Sequence, residues 1–319
     1  MDKDRGLLDL IITRIPGLTI LERGILCRKF NSEEEITGLT KHDIEIILDR
    51  PMKQRNWTMD AIRVQAEKDA RAAEMRGIRW VSIVSPDYPP QIREIYDPPA
   101  VLFYRGNLPN PEQTLAAVVG TRHPTPAAAA QAFDISRSLG ANNIPVVSGL
   151  ALGIDAMAHR GSLEGGAPTI AVLGSGVDAI YPVSNRSLAR RILENGGVIL
   201  SEYPPGTSPM KWHFPARNRI ISALARGVLI VEAPAKSGAL ITAQFALEQG
   251  RDLWVASSGT AAGTRFAGLP YGGLSAFGEG TQKLAADGAR IIYSASDILD
   301  EWKLKENLVS DNKEKNLWP

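Results

Sequence analysis

Between Ile144 and Gly176 the chain reads IPVVSGLALGIDAMAHRGSLEGGAPTIAVLGSG. A short apolar run, IPVVSG (144–149), stops at a Ser-Gly turn. A helical pattern carrying Asp155 and His159 follows, and a second apolar run, TIAVLGSG (169–176), stops again at Gly and Ser. Strand, helix and strand in about 30 residues is the repeating unit of a parallel sheet. Similar apolar runs recur at 116–120, 197–204, 227–233, 252–259 and 289–294, each separated from the next by a segment long enough for a helix. The alternation predicts a doubly wound α/β fold, a mostly parallel sheet with helices on both faces. Several runs end in Gly, Ser or Glu, so the ligand edge is expected at the C-terminal ends of the strands.

Upstream of the sheet, residues 1–76 read as a small all-helical domain. LLDLIITRI ends at Pro16-Gly17, Ser32 and Glu35 have capping-box spacing, and the longest helix is expected from Thr58 to Met75 with Gly77 as a left-handed stop. Residues 77–300 form the Rossmann-like domain, opened by two strand-like runs around a Pro-rich connection that extend the sheet. The segment 259–281, rich in Gly and Ala, is read as a flap, and 301–319 as a polar tail without a winged-helix domain.

Lys and Arg number 36 against 35 Asp and Glu, so no bulk positive charge is available for a polyanion and any such partner must meet a local basic site. One cysteine, Cys27, excludes a disulfide framework and a cysteine-rich metal site, and four scattered histidines suggest no cluster, so neither metal nor cofactor is expected. No apolar stretch reaches 18 residues and no leader pattern is present, which predicts a cytoplasmic protein without a membrane partner.

A strand that turns into a helix through Gly or Ser offers free N–H groups and the positive end of the helix dipole to an anion. Four strand ends have that form: Gly120-Thr121-Arg122, Ser148-Gly149, the turn around Gly174, and Lys236-Ser237-Gly238. Glycine also serves any tight turn, but four such ends with Arg122, Arg217, Arg219 and Lys236 beside them suggest a phosphate track. Tyr181, in DAIYPVSN with Asn185, suits either a base-stacking platform or a core position. Asp155 and His159, four apart, could form an acid/base couple. No nucleophile elbow, metal spacing or Walker lysine accompanies them, and Asp155 in a first helical turn is placed to cap N–H groups, which favours scaffolding.

Seven stretches, among them VVGTRHPT, VVSGLALGIDAMAH, TIAVLGSGVDAIYPVSN and FPARNRIISALARGVLIVEAPAKSGALITAQFALEQGR, resemble the DNA-processing protein A family (DprA, also called Smf) in order and over roughly residues 88–292. The resemblance implies an extended Rossmann-like fold, single-stranded DNA as ligand, a homodimer, and the loading of RecA recombinase onto incoming strands in natural transformation. It also likens the N-terminal helices to a sterile-alpha-motif-like domain. Carried over by position, the DNA-binding residues are Gly120, Thr121, Arg122, Ser148, Gly149, Gly174, Tyr181, Asn185, Arg217, Asn218, Arg219, Lys236, Ser237 and Gly238. Leu152 stands where the family usually has Arg, and Gln282 where it has Asn. The expected protein is a non-enzyme. The rival is a Rossmann-like nucleotide-processing enzyme of the phosphoribohydrolase kind, whose PGGxGTxxE signature is not matched by APAKSGALITAQF. A dehydrogenase lacks its GxGxxG.

Overall fold

The computed structural model describes residues 3–54, 56–260 and 278–303. The two early runs form β1 (Arg79–Ser82) and β2 (Val101–Gly106). The seven expected strands follow as β3 (Ala116–Val119), β4 (Val146–Ser148), β5 (Ile170–Val172), β6 (Val198–Ser201), β7 (Gly227–Ile230), β8 (Asp252–Ala256) and β9 (Arg290–Ile292). Among the described residues they make one sheet in the order β1-β2-β6-β5-β4-β3-β7-β8-β9. β1 pairs antiparallel with β2, and β2 antiparallel with β6. Every other pairing is parallel. The chain starts its parallel strands at β3, winds out to β6, and returns to lay β7 on the other side of β3. That reversal leaves a crevice beyond the carboxyl ends of β3 and β7, where doubly wound sheets place ligands.

Side chains alternate across the sheet with the two-residue period of a strand. Ala117, Val119, Val228 and Ile230 enter one apolar core, while Ala116, Val118, Leu229 and Val231 enter the other. The helical N-terminal portion comprises α1 (Lys3–Arg14), α2 (Ile20–Lys29), α3 (Glu33–Thr37), α4 (Lys41–Leu48) and α5 (Met59–Met75). It shares the first core, with Leu8, Ile11 and Ile15 buried and the Trp80 Nε1 donating to the Gly6 carbonyl at 3.1 Å. Thr58 caps α5 as expected, and Gly77 takes φ +61° behind it. The capping box at Ser32 does not form. Ser32 sits at the N-cap without a side-chain cap bond, and Glu35 takes the N–H of Asn31 instead.

Downstream, α6 (Pro90–Arg93), α7 (Pro126–Ala141), α8 (Ile154–Glu164), α9 (Arg186–Glu194), α10 (His213–Leu224), α11 (Gly238–Glu248), α12 (Ser257–Thr260), α13 (Glu279–Ala286) and α14 (Ala295–Glu301) cover the sheet. α7 and α8 touch backbone to backbone, for a methyl at Gly161 would land on the Phe133 carbonyl and one at Gly165 on that of Arg137. The expected boundary at 301 runs through an ordered element. Trp302 is buried against Trp254 at 5.2 Å between ring centroids and donates to Asp252, because its indole covers the far end of the second core. Residues 304–319 and most of the expected flap, 261–277, lie outside the described residues.

One ion pair fastens α10 to the sheet. Arg219, 2 % exposed, forks onto both oxygens of Glu202 at 2.8 and 2.7 Å and reaches Asp97 at 3.0 Å. Breaking a buried pair strands a desolvated charge. We expect Glu202→Ala to lower the free energy of unfolding by about 3 kcal/mol in urea titration; an unchanged midpoint would mean that Asp97 alone satisfies Arg219.

Candidate nucleic-acid interface

The β4 turn is filled by its own chain. The Asp155 carboxylate, in the first turn of α8, accepts the N–H groups of Gly149 and Ala151 through one oxygen, at 3.1 and 3.3 Å. Ser148 is fully buried and donates to the Val118 carbonyl at 2.7 Å. The helix-start nest expected to receive an external anion at Ser148-Gly149 is therefore occupied by an internal one. Burial pushes the Asp155 carboxyl up from its ordinary value, while the charge of Arg217 and the two backbone N–H bonds pull the other way.

His159 does not meet Asp155 in a hydrogen bond. Its Nδ1 lies 2.8 Å from the Thr169 hydroxyl, which itself donates to the Val146 carbonyl, and its buried Nε2 has no partner among the described residues. Burial, helped by the positive charge of Arg217, depresses the imidazole to about 3. The pair is scaffolding. Asp155 shapes the turn from within, and neutral His159 fills the space beneath it.

The turn after β5 is also closed by protein groups. The Gly174 carbonyl lies 3.1 Å from His213 Nδ1, Gly176 donates to the Thr207 carbonyl, and Ser175 donates to that of Ala179. Asn185 is buried and donates to the carbonyls of Leu150 and Ala151 at 3.0 and 3.1 Å, holding the β4 turn from outside. Arg217 is buried too. It donates to the carbonyls of Gly149 and Val172, with burial lowering its guanidinium to about 10 and Asp155 opposing that shift.

What remains open is the crevice at the reversal. A groove of about 630 Å³ is walled on one side by Gly120, Thr121 and Arg122 after β3, and on the other by Lys236, Ser237 and Gly238 at the start of α11. Arg217 and Asn218 of α10 lie between, and Asp155, Tyr181, Lys211 and Phe214 also line it. Asn218 donates to the Gly238 carbonyl at 3.1 Å, and Ser237 caps α11 through the Ala239 N–H. Among the described residues, Arg122, Lys211 and Lys236 have no ion-pair partner. Tyr181 is 44 % exposed, packs on Phe214 at 5.7 Å, and Phe214 in turn carries the Arg122 guanidinium at 5.5 Å. An exposed ring backed by a second ring and flanked by cations is a surface suited to a base and its phosphate.

Nine of the sequence-derived residues thus meet at this groove, and Gly149 lines a small notch beside it with Leu152. Ser148, Gly174 and Asn185 support it from behind. Arg219 does not belong to it. Residues two apart on a helix point about 200° apart, so α10 sends Arg217 toward the groove and Arg219 to the opposite side, where Glu202 takes its charge. Lys211 and Phe214 escaped sequence reading. Phe214 stands in the quoted FPARNR stretch, but nothing in its spacing tells a groove wall from a core ring. Among the described residues no group of three or more His, Cys, Asp and Glu could hold a metal, and no helix is long and apolar enough to cross a membrane.

Residues 79–303 match the family model of DNA recombination-mediator protein A. The chain belongs to this family. It is 40% identical over 222 residues to the DNA processing protein DprA of Streptococcus pneumoniae, covering 70% of this chain and 73% of that one. The crystal structure of the pneumococcal protein aligns with a TM-score of 0.66 at 36% identity, over 94% of this chain and 95% of the other. DNA processing protein A of Helicobacter pylori, whose structure was analysed for its single-stranded DNA binding mode, aligns at 0.57 and 28% identity, over 70% of this chain and 96% of its own.

Two outcomes test the scaffolding role. Between His159's ordinary value of 6.5 and its folded value of about 3, the unfolded chain takes up a proton that the native state refuses, so stability falls as pH drops through that window. The slope approaches about 1.4 kcal/mol per pH unit, and we expect His159→Gln to remove it in urea titrations; an equally steep slope in the variant would assign the acid sensitivity elsewhere. Asp155→Ala leaves two buried N–H groups without their acceptor and Arg217 without its nearby counter-charge. It should lower stability by about 2 kcal/mol, read as a shift in the thermal midpoint.

Proposed function

We propose that the groove binds single-stranded DNA, that the protein acts by holding strands and not by transforming them, and that it presents them to RecA recombinase in the processing of incoming DNA. The carrying observation is that Arg122, Lys211 and Lys236, none of them ion-paired among the described residues, line one open groove with the Tyr181 and Phe214 rings at its side. Backbone phosphates supply charge for the cations at any sequence, and a base face supplies a partner for Tyr181. The DNA binding of the Helicobacter pylori relative, at 28% identity, supports the same ligand. Binding without catalysis fits the carboxylates present: Asp155 is turned onto backbone N–H groups, and Glu232, buried at the end of β7, accepts both the N–H and the hydroxyl of Thr125. A homodimer in the cytoplasm completes the proposal and rests on the family resemblance.

Fluorescence anisotropy with labelled oligothymidylate over several salt concentrations tests this reading, with AMP as competitor. We expect affinity to fall with salt, Arg122→Ala and Lys236→Ala each to weaken binding to any sequence, and the logarithmic salt slope to drop by about 0.7 per lost phosphate contact. Tyr181→Ala should weaken binding by roughly 1–3 kcal/mol with little change in that slope. Unchanged affinity in both basic variants, or easy displacement of the strand by AMP, would overturn it.

A further inference from the structure

A second cavity, of about 300 Å³, lies where the N-terminal helices meet the sheet, lined by Thr13, Arg14 and Arg23 on one side and Glu202 and Thr207 on the other. Its charges are unevenly matched. Arg14 gives its Nε to Asp69 at 2.5 Å, and both oxygens of Glu202 already receive Arg219. Among the described residues Arg23 has no side-chain hydrogen bond or ion pair, although its Nε is fully enclosed. Burial lowers its guanidinium from the usual arginine value, with the charge of Glu202 opposing that. A half-buried guanidinium whose Nε is enclosed without a partner leaves a site that an anion can complete.

The remaining polar groups narrow what that anion can be. Thr13 donates its hydroxyl proton to the Leu10 carbonyl and Thr207 to that of Pro204, both at 2.7 Å. Both hydroxyl oxygens can therefore only accept, and Glu202, which also meets the Tyr203 hydroxyl, retains a free lone pair. A site that combines one strong cationic donor with acceptors suits an oxyanion that brings a proton of its own. We propose that this cavity binds a protonated phosphate, either inorganic phosphate or a terminal phosphate monoester, with Arg23 holding its unprotonated oxygens and the Thr or Glu202 oxygens accepting its P–OH. Sulfate and the internal phosphodiesters of a strand carry no such proton at neutral pH. The site is separate from the groove and does not rest on the DNA reading.

Thermal unfolding of the full chain in phosphate, sulfate and chloride at equal ionic strength tests the proposal. Phosphate is expected to raise the midpoint by about 3 °C over chloride, and sulfate to have less than half that effect. The phosphate shift should persist in Arg122→Ala, which cripples the groove, and vanish in Arg23→Met. Arg23→Met should itself melt higher in chloride, because it removes an uncompensated charge. Arg23→Lys, which keeps the charge and loses the fork, is expected to retain part of the shift and serves if the Met variant does not fold. Titration with oligothymidylate bearing a 5′-phosphate or a 5′-hydroxyl separates the sources: tighter binding of the phosphorylated strand, lost in Arg23→Met, assigns a strand end, and equal binding of the two strands assigns the free ion. Equal shifts in phosphate and sulfate, no phosphate shift at all, a shift that survives in Arg23→Met, or one lost in Arg122→Ala would each overturn the proposal.

Discussion

The site depends on how the turn after β4 is held. One carboxylate oxygen of Asp155 gathers two N–H groups from inside, Arg217 draws in the carbonyls at the ends of β4 and β5, and Asn185 takes two more carbonyls from outside. Two N–H groups and three carbonyls of that turn are thereby engaged within the chain. A carboxylate and a guanidinium buried together lose much hydration, and what offsets the loss is that each is shared among backbone groups that would otherwise be unsatisfied. With the β4 and β5 ends closed in this way, the groove opens at the reversal between β3 and β7, apart from the cavity beside Glu202 after β6.

That closure explains which parts of the site could be read from residues alone. The parallel sheet was legible because seven apolar runs at helix-length intervals leave little else to build, and the alternation within β3 and β7 confirms two-sided burial. The position of the groove was legible in its two walls, since Arg122 and Lys236 follow strands directly. Occupancy of the turns was not. An Asp in a helix's first turn reads the same whether it caps N–H groups beside an anion site or fills that site, and only the coordinates distinguish the cases. Arg217 and Arg219 looked like one basic pair because sequence proximity hides the helical rotation between them. The wall residue Phe214 could not be told from core, for an aromatic's role here is set by its neighbours Tyr181 and Arg122.

Charge is arranged on the same principle. With a formal net charge of +1, the chain matches some of its cations to carboxylates, such as Arg14 to Asp69, Arg50 to Glu22 and Arg219 to Glu202. Arg122, Lys211 and Lys236, which have no such partner among the described residues, are concentrated in one crevice. At physiological salt the field of exposed charges fades over about 8 Å, so this crevice acts on a polyanion at contact range and does little to draw it from afar.

The glycine contact between α7 and α8 has a mechanical consequence. Where side chains interlock, a helix can slide by changing rotamers; where Gly161 and Gly165 press on carbonyls, there is nothing to rearrange. α8 begins directly at the β4 turn, so the β4 side of the groove rests on a stiff backing. Arg217 and Arg219 pin α10 as well, so the compliance of the site is left to α11, which α10 meets through side chains such as Asn218. A bulkier occupant is accommodated by displacing that half, which makes the groove a fixed jaw working against a yielding one.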